Sequence, residues 1–122
     1  MAHTVLIVDD DQYLRDLYQE VLTSEGYKVD TAIDGKEGYD KLQSGLYDLV
    51  LLDVMMPKMD GLQVLTKLAE LPPVPTRKIV LLTNLAQDPV IQEAMKKGAT
   101  TYLIKADLTP DQLTARIKEI LA

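Results

Sequence analysis

Residues 49–53 read Leu-Val-Leu-Leu-Asp, four consecutive apolar side chains that stop on a carboxylate. A strand with one wet face alternates apolar and polar residues, so an unbroken apolar run predicts a strand covered on both faces, as in a parallel sheet. Working outward, the pattern recurs. Val5-Leu6-Ile7-Val8 runs into Asp9-Asp10-Asp11, and Ile79-Val80-Leu81-Leu82 runs into Thr83. With their flanks, five strands are expected, at residues 4–8, 27–32, 49–53, 79–83 and 100–104.

Helical periodicity fills the gaps. Leu14, Leu17, Tyr18, Val21 and Leu22 share one face, with Asp11 placed to cap the helix and Gly26 to stop it. Residues 34–46 form a weaker helix interrupted by Gly38. Leu62, Leu65, Leu68 and Ala69 make a third stripe, halted by Pro72, Pro73 and Pro75. Asp88-Pro89 reads as a cap and first-turn proline, with Gly98 as the stop. Thr109 and Gln112 have capping-box spacing ahead of the stripe Leu113, Ile117, Ile120 and Leu121. The expectation is an α/β chain, (βα) five times over, forming a single domain across residues 1–122. Right-handed crossovers then give a parallel sheet with helices on both faces. The pattern alone leaves the strand order open.

Composition excludes several functions. The chain has 13 Lys plus Arg against 19 Asp plus Glu, a net charge of -6, with six Tyr and neither Phe nor Trp. Such a surface repels phosphate backbones and lacks base-stacking aromatics, so direct nucleic-acid binding is not expected. With no Cys and only His3, thiolate chemistry and Cys- or multi-His metal sites are ruled out. No apolar stretch is long enough for membrane insertion, and residues 5–8 are too short for an export signal, so a cytoplasmic protein is expected.

In open parallel sheets, ligands sit at the carboxyl ends of the strands. There the sequence places Asp9, Asp10 and Asp11, then Asp53, Thr83 and Lys105. Two carboxylates ~4 Å apart repel by about 4 kcal/mol at an effective dielectric of ~20, so gathering Asp9, Asp10 and Asp53 demands a cation or a proton. Lys105 supplies one charge. A divalent ion with oxygen ligands, Mg²⁺ best of all, would supply the rest. A carboxylate beside Mg²⁺, a hydroxyl and an ammonium suits phosphoryl transfer, with Asp53 as nucleophile. Taken singly these residues have plainer explanations, as caps and strand ends; their convergence on one edge carries the assignment.

Val8-Asp9-Asp10, the segment from Leu52 to Gly61 with its D-x-x-M-P-x-x-D-G pattern, Leu82-Thr83 and Tyr102-Leu103-Ile104-Lys105 together resemble the response-regulator receiver domain. The resemblance spans essentially the whole chain. It implies a flavodoxin-like sheet of order 2-1-3-4-5 and a phosphoacceptor role for Asp53. It further implies metal binding by Asp10, by Asp9 mainly through water, by Asp53, and by the backbone carbonyl of Met55. Thr83 and Lys105 match the phosphoryl-binding hydroxyl and lysine, and Tyr102 the switch aromatic. Met55 and Leu85 match the positions that modulate dephosphorylation; both are apolar, which implies slow loss of phosphate. The implied partners are a histidine kinase or phosphotransfer protein and a downstream protein target, docking on the face of helix 4, strand 5 and helix 5. The chain would catalyse only its own phosphorylation and dephosphorylation, and so would not be an enzyme in the usual sense.

Two departures stand out. Ala106 follows Lys105 where the family has Pro, so a trans peptide is expected, since cis before Ala costs about 3 kcal/mol. Asn84 follows Thr83 where the family has a small residue. Rival readings fare worse. A haloacid-dehalogenase-like phosphatase needs a second Asp where Met55 stands. A flavodoxin needs a hydroxyl- and Gly-rich loop where Asp9, Asp10 and Asp11 would repel phosphate. The alternative of an unphosphorylated interaction module predicts loss of Asp53, Asp10 or Lys105, and all three are present. The sequence carries no output domain after Ala122, which fits either a stand-alone receiver or one cut from a larger regulator.

Overall fold

The computed structural model describes residues 3–56, 58–72, 77–84 and 89–122. Strands β1 (Thr4–Val8), β2 (Lys28–Ala32), β3 (Leu49–Asp53), β4 (Lys78–Thr83) and β5 (Thr101–Ile104) alternate with helices. The helices are α1 (Gln12–Ser24), α2 (Gly35–Ser44), α3 (Gly61–Leu68), α4 (Pro89–Lys96) and α5 (Pro110–Leu121), and a single 3₁₀ turn, Lys105–Asp107, follows β5. All pairings are parallel, in the order β2-β1-β3-β4-β5. This is the flavodoxin-like order that the resemblance implies.

The unbroken apolar runs explain the two-layered core. Strand alternation sends Leu6, Val8, Val50, Leu52 and Leu81 to one face, against Leu42 of α2, Val64 and Leu65 of α3 and Ala94 of α4. Val5, Ile7, Leu49, Leu51, Val80 and Leu82 face the other side, against Tyr18 and Leu22 of α1 and Leu113 and Ile117 of α5. Each fully buried Leu, Ile or Val contributes about 1.5–3 kcal/mol relative to exposure. The sheet edge at β2 is more polar. There Asp30 accepts from the Tyr47 hydroxyl at 2.7 Å and the Lys41 ammonium at 3.1 Å, tying the strand to α2 and the loop beyond it.

Helix caps follow the sequence closely. Asp11 caps α1 through Leu14 N–H, and Thr109 and Gln112 form the capping box of α5. Asp60 with Gln63 makes a second box at α3, and Asp34 caps α2. Gly26 and Gly98 take positive φ just past their helices, as their stop positions require. The expected cap Asp88 lies outside the described residues. Four elements differ in their boundaries from expectation. β4 begins one residue early, at Lys78, whose N–H bonds to the Asp48 carbonyl at 2.9 Å. β2 starts at Lys28 because Tyr27 N–H still bonds to Leu22 in the turn that closes α1. α2 ends at Ser44 because Gly45 is extended, leaving Leu46 in solvent. At the last strand, Thr100 pairs with Ile79 but regular β5 begins at Thr101. Among the described residues, no helix is long and apolar enough to cross a membrane.

The start of α2 packs directly on the loop after β3. A methyl on Gly35 would fall within the van der Waals shell of the Met59 carbonyl oxygen. Backbone cannot yield as a flexible side chain does, so Gly35→Ala should destabilise by at least the ~1–3 kcal/mol typical of overpacking. Urea unfolding measures the loss, and an unchanged midpoint would show that the loop moves away without cost.

Candidate functional site

Parallel pairing brings the carboxyl ends of β1, β3, β4 and β5 to one edge. Val8 lies beside Leu52, so Asp9 emerges alongside Asp53, and Asp53 in turn lies beside Leu82, one residue before Thr83. Asp9 is completely buried, Asp53 and Thr83 are each 5% exposed, and Asp10 is exposed. One carboxylate oxygen from each of Asp9, Asp10 and Asp53 lies within 4.8 Å of the others. Lys105, in the turn directly after β5, reaches back so that its Nζ is 3.1 Å from Asp9 Oδ2 and 3.1 Å from Asp53 Oδ2.

Burial and charge compete here. Burial, the largest influence, pushes the Asp53 carboxyl up to about 7; Lys105 pulls it down and Asp9 pushes it up again. For Lys105, burial alone would lower the ammonium, but Asp53 and Asp9 outweigh it and the net shift is upward. The ammonium therefore stays charged between two carboxylates. Tyr18, buried on α1, senses the same field: burial raises its phenol, Lys105 opposes the rise, and Asp9, Asp11 and Asp53 add to it.

The surroundings orient these groups. Asp9 Oδ1 accepts from Asp11 N–H at 2.9 Å, while Asp53 Oδ1 accepts from Met55 N–H at 3.2 Å. Asp9 Oδ2 is buried and receives no well-aligned hydrogen bond, although Lys105 Nζ lies beside it. Three carboxylates within reach of one another, set against a single ammonium, and an all-oxygen donor set fit a hard divalent cation such as Mg²⁺. Tyr102 stands half-buried on β5, paired with Leu81 and packed against the core on the α4 side. Asn84 is exposed, and the Lys105–Ala106 peptide is trans, as expected. Leu85 lies outside the described residues.

Sequence reading passed over two features. Arg15 of α1 donates to the Asp9 carbonyl at 2.7 Å, clamping the turn that presents the aspartates. Its spacing six residues beyond Asp9 gave no signal by itself. Tyr13 in the first turn of α1, and Ile33 and Met55 in the segments after β2 and β3, are large apolar residues left largely exposed at this same edge. Each follows the carboxyl end of a strand, β1, β2 or β3, within a few residues.

A family model for the response regulator receiver domain matches residues 5–118. The chain belongs to the response regulator receiver domain family. The receiver is 37% identical over 122 residues to the chemotaxis protein CheY of Treponema pallidum, covering 98% of this chain and 83% of that one. It is 35% identical over 121 residues to the transcriptional regulatory protein SrrA of Staphylococcus aureus, covering 99% of this chain but 48% of SrrA. It thus spans about half the length of that regulator. Among solved structures, the response regulator TrrA of Thermotoga maritima, in complex with Mg²⁺-BeF, superposes with a TM-score of 0.80 at 35% identity, covering 98% of this chain and 99% of that one. The receiver is therefore a domain of two-component signalling.

In the metal-free receiver, Asp53 ionises near 7 when folded but near its ordinary 3.8 when unfolded, so the folded state holds an extra proton between those values. The stability that this proton contributes is fully present below pH 3.8 and is lost as the pH rises through 7. Asp53→Asn cannot ionise, so its stability relative to the parent should climb across that window, by more than the ~1.4 kcal/mol that one pKa unit represents. Urea unfolding of both proteins in chelator, over a pH series, measures the gap. A gap that stays flat would mean that Asp53 ionises as an ordinary carboxyl.

Proposed function

We propose that the receiver accepts a phosphoryl group on Asp53 from the phosphohistidine of a histidine kinase or phosphotransfer protein, with Mg²⁺ as cofactor, in the cytoplasm. The observation that carries this reading is the buried Lys105 ammonium held 3.1 Å from both Asp9 and Asp53, with Asp10 completing a cluster of oxygens. A nucleophilic carboxylate set beside fixed positive charge is what phosphoryl transfer requires, since its transition state spreads charge over the phosphoryl oxygens.

In the proposed step an Asp53 carboxylate oxygen forms the new bond to phosphorus. The phosphorus–nitrogen bond of the donor breaks, and the departing imidazole takes up a proton. Lys105 neutralises a phosphoryl oxygen, and the Thr83 hydroxyl, at the end of the neighbouring strand, donates to another. Asp9, Asp10, Asp53 and the Met55 carbonyl would hold Mg²⁺, whose charge lowers the repulsion between the phosphoryl group and the carboxylates. The exposed apolar side chains of Tyr13, Ile33 and Met55 at this edge would give a donor protein apolar surface to dock on. Support from relatives is indirect: TrrA is described in complex with Mg²⁺-BeF.

Incubation with acetyl phosphate and Mg²⁺ should add one phosphate by mass, and either Asp53→Asn or chelation should abolish it. Met55→Asn should shorten the lifetime of the product by giving water a polar side chain to align on. Undiminished labelling of Asp53→Asn would remove the assignment. Complete failure of the parent to label, from acyl phosphates and kinases alike, would leave a docking module that works without phosphorylation.

The output surface is proposed to be α4, β5 and α5. Tyr102 is only half-buried there, and a groove of about 340 Å³ beside it is lined by Ile104, Leu108, Gln112 and Arg116. Drawing the Thr83 hydroxyl toward the phosphoryl group would free space for the Tyr102 ring, a two-state shift that a downstream protein can read. Beryllofluoride with Mg²⁺ should therefore move the amide resonances of Tyr102 and α5 as well as those around Asp53. Shifts confined to the Asp53 loop would contradict the switch.

A further inference from the structure

At the edge of the sheet opposite Asp53, the ends of α2, α3 and α4 and the start of β4 enclose a cavity of about 440 Å³. Its apolar wall includes Leu42, Leu46, Leu65, Leu68, Leu71 and Ile79. Its charged lining residues are Arg77 and Lys97, with no carboxylate among the described lining residues, although the chain as a whole carries a net charge of -6. A cationic apolar hollow on an acidic protein is not what composition alone would produce.

Arg77 is the unusual member. Its Nη2 donates to the Leu42 carbonyl at 3.4 Å, beyond the usual hydrogen-bond range of about 2.7–3.2 Å. Its Nε is buried and has no hydrogen-bond partner among the described residues. Neither Arg77 nor Lys97 has an ion-pair partner among the described residues. Burial pulls the guanidinium below its ordinary value, yet a guanidinium keeps its charge in proteins. The plain explanation is that Arg77 only caps the carboxyl end of α2, where a cation suits the helix dipole. That task uses one of five donors, leaves the buried Nε without a partner among the described residues, and needs no surrounding hollow.

We infer that this cavity binds a small amphipathic carboxylate. Its apolar chain lies against Leu42, Leu65 and Leu68, and its head group takes a forked pair of hydrogen bonds from Arg77, with Lys97 adding charge at the rim. The fork of a guanidinium matches a carboxylate in particular, and the volume falls within the ~300–1,000 Å³ typical of small-molecule sites. Leu46, 86% exposed at the mouth, is then an apolar residue awaiting cover by the ligand chain. The inference is independent of phosphoryl chemistry at Asp53.

Decanoate, titrated below its micellar range into isotope-labelled receiver, tests it by amide shifts. Saturable shifts should appear at Leu42, Leu46, Leu71, Lys97 and Gly98, and not at Asp53 or Lys105. Decanol, which lacks the charge, and acetate, which lacks the chain, should each bind about tenfold more weakly or worse, the scale on which hydrogen bonds to charged groups act. Arg77→Met should weaken decanoate by a similar factor, and Leu46→Glu, a surface change at the mouth, should weaken it through like charge. Absence of saturable shifts, equal affinity for decanol, or full affinity in folded Arg77→Met would each overturn the proposal. If Arg77→Met fails to fold while Leu46→Glu binds decanoate as tightly as the parent, Arg77 is a helix cap and nothing more.

Discussion

One ammonium holds the working edge of this receiver together. Lys105 Nζ stands 3.1 Å from a carboxylate oxygen of both Asp9 and Asp53, with all three side chains largely removed from water. Two buried carboxylates facing each other without that charge would repel strongly, and desolvation would drive protons onto them. The ion triad makes the strand ends of β1, β3 and β5 compatible with one another. It also fixes where β5 must finish, because the lysine has to emerge within reach of two strands that are not its neighbours in the sheet.

The same triad is incompletely balanced. One positive charge faces the carboxylates of Asp9, Asp53 and the more exposed Asp10, and Asp9 Oδ2 has no well-aligned hydrogen bond. A core built for stability alone would have filled these positions with apolar residues of similar volume. The rest of the fold absorbs the cost. Both faces of the sheet are sealed by unbroken apolar runs, and each helix with a described N-cap residue is capped by a side chain, so the strain is confined to the loops at one edge.

Around that edge the structure separates functions by exposure. The Asp53 carboxylate and Lys105 lie largely inside, Asp10 lies at the surface, and Tyr13, Ile33 and Met55 stand outermost. Charge that must be poised is thus kept dry, and apolar surface that could meet a partner is left open. Tyr102 occupies the intermediate position, half-buried on β5.

The strands, their parallel arrangement and the aspartates at their ends were legible in the sequence, because runs such as residues 49–52 and 79–82 are apolar at every position and stop abruptly on polar groups. Capping signals at Asp11 and Thr109 were equally local, since a helix end needs only a side-chain oxygen a few residues away. Strand order was available only through family resemblance, because the hydrophobic pattern is the same for any order of fully covered strands. Tertiary structure alone decided the two 3.1 Å contacts of Lys105, the grip of Arg15 on the Asp9 carbonyl, and the buried Nε of Arg77, without a partner among the described residues. Each depends on groups distant in sequence or on a side-chain direction, and neither spacing nor composition encodes which charge will find a partner once water is excluded.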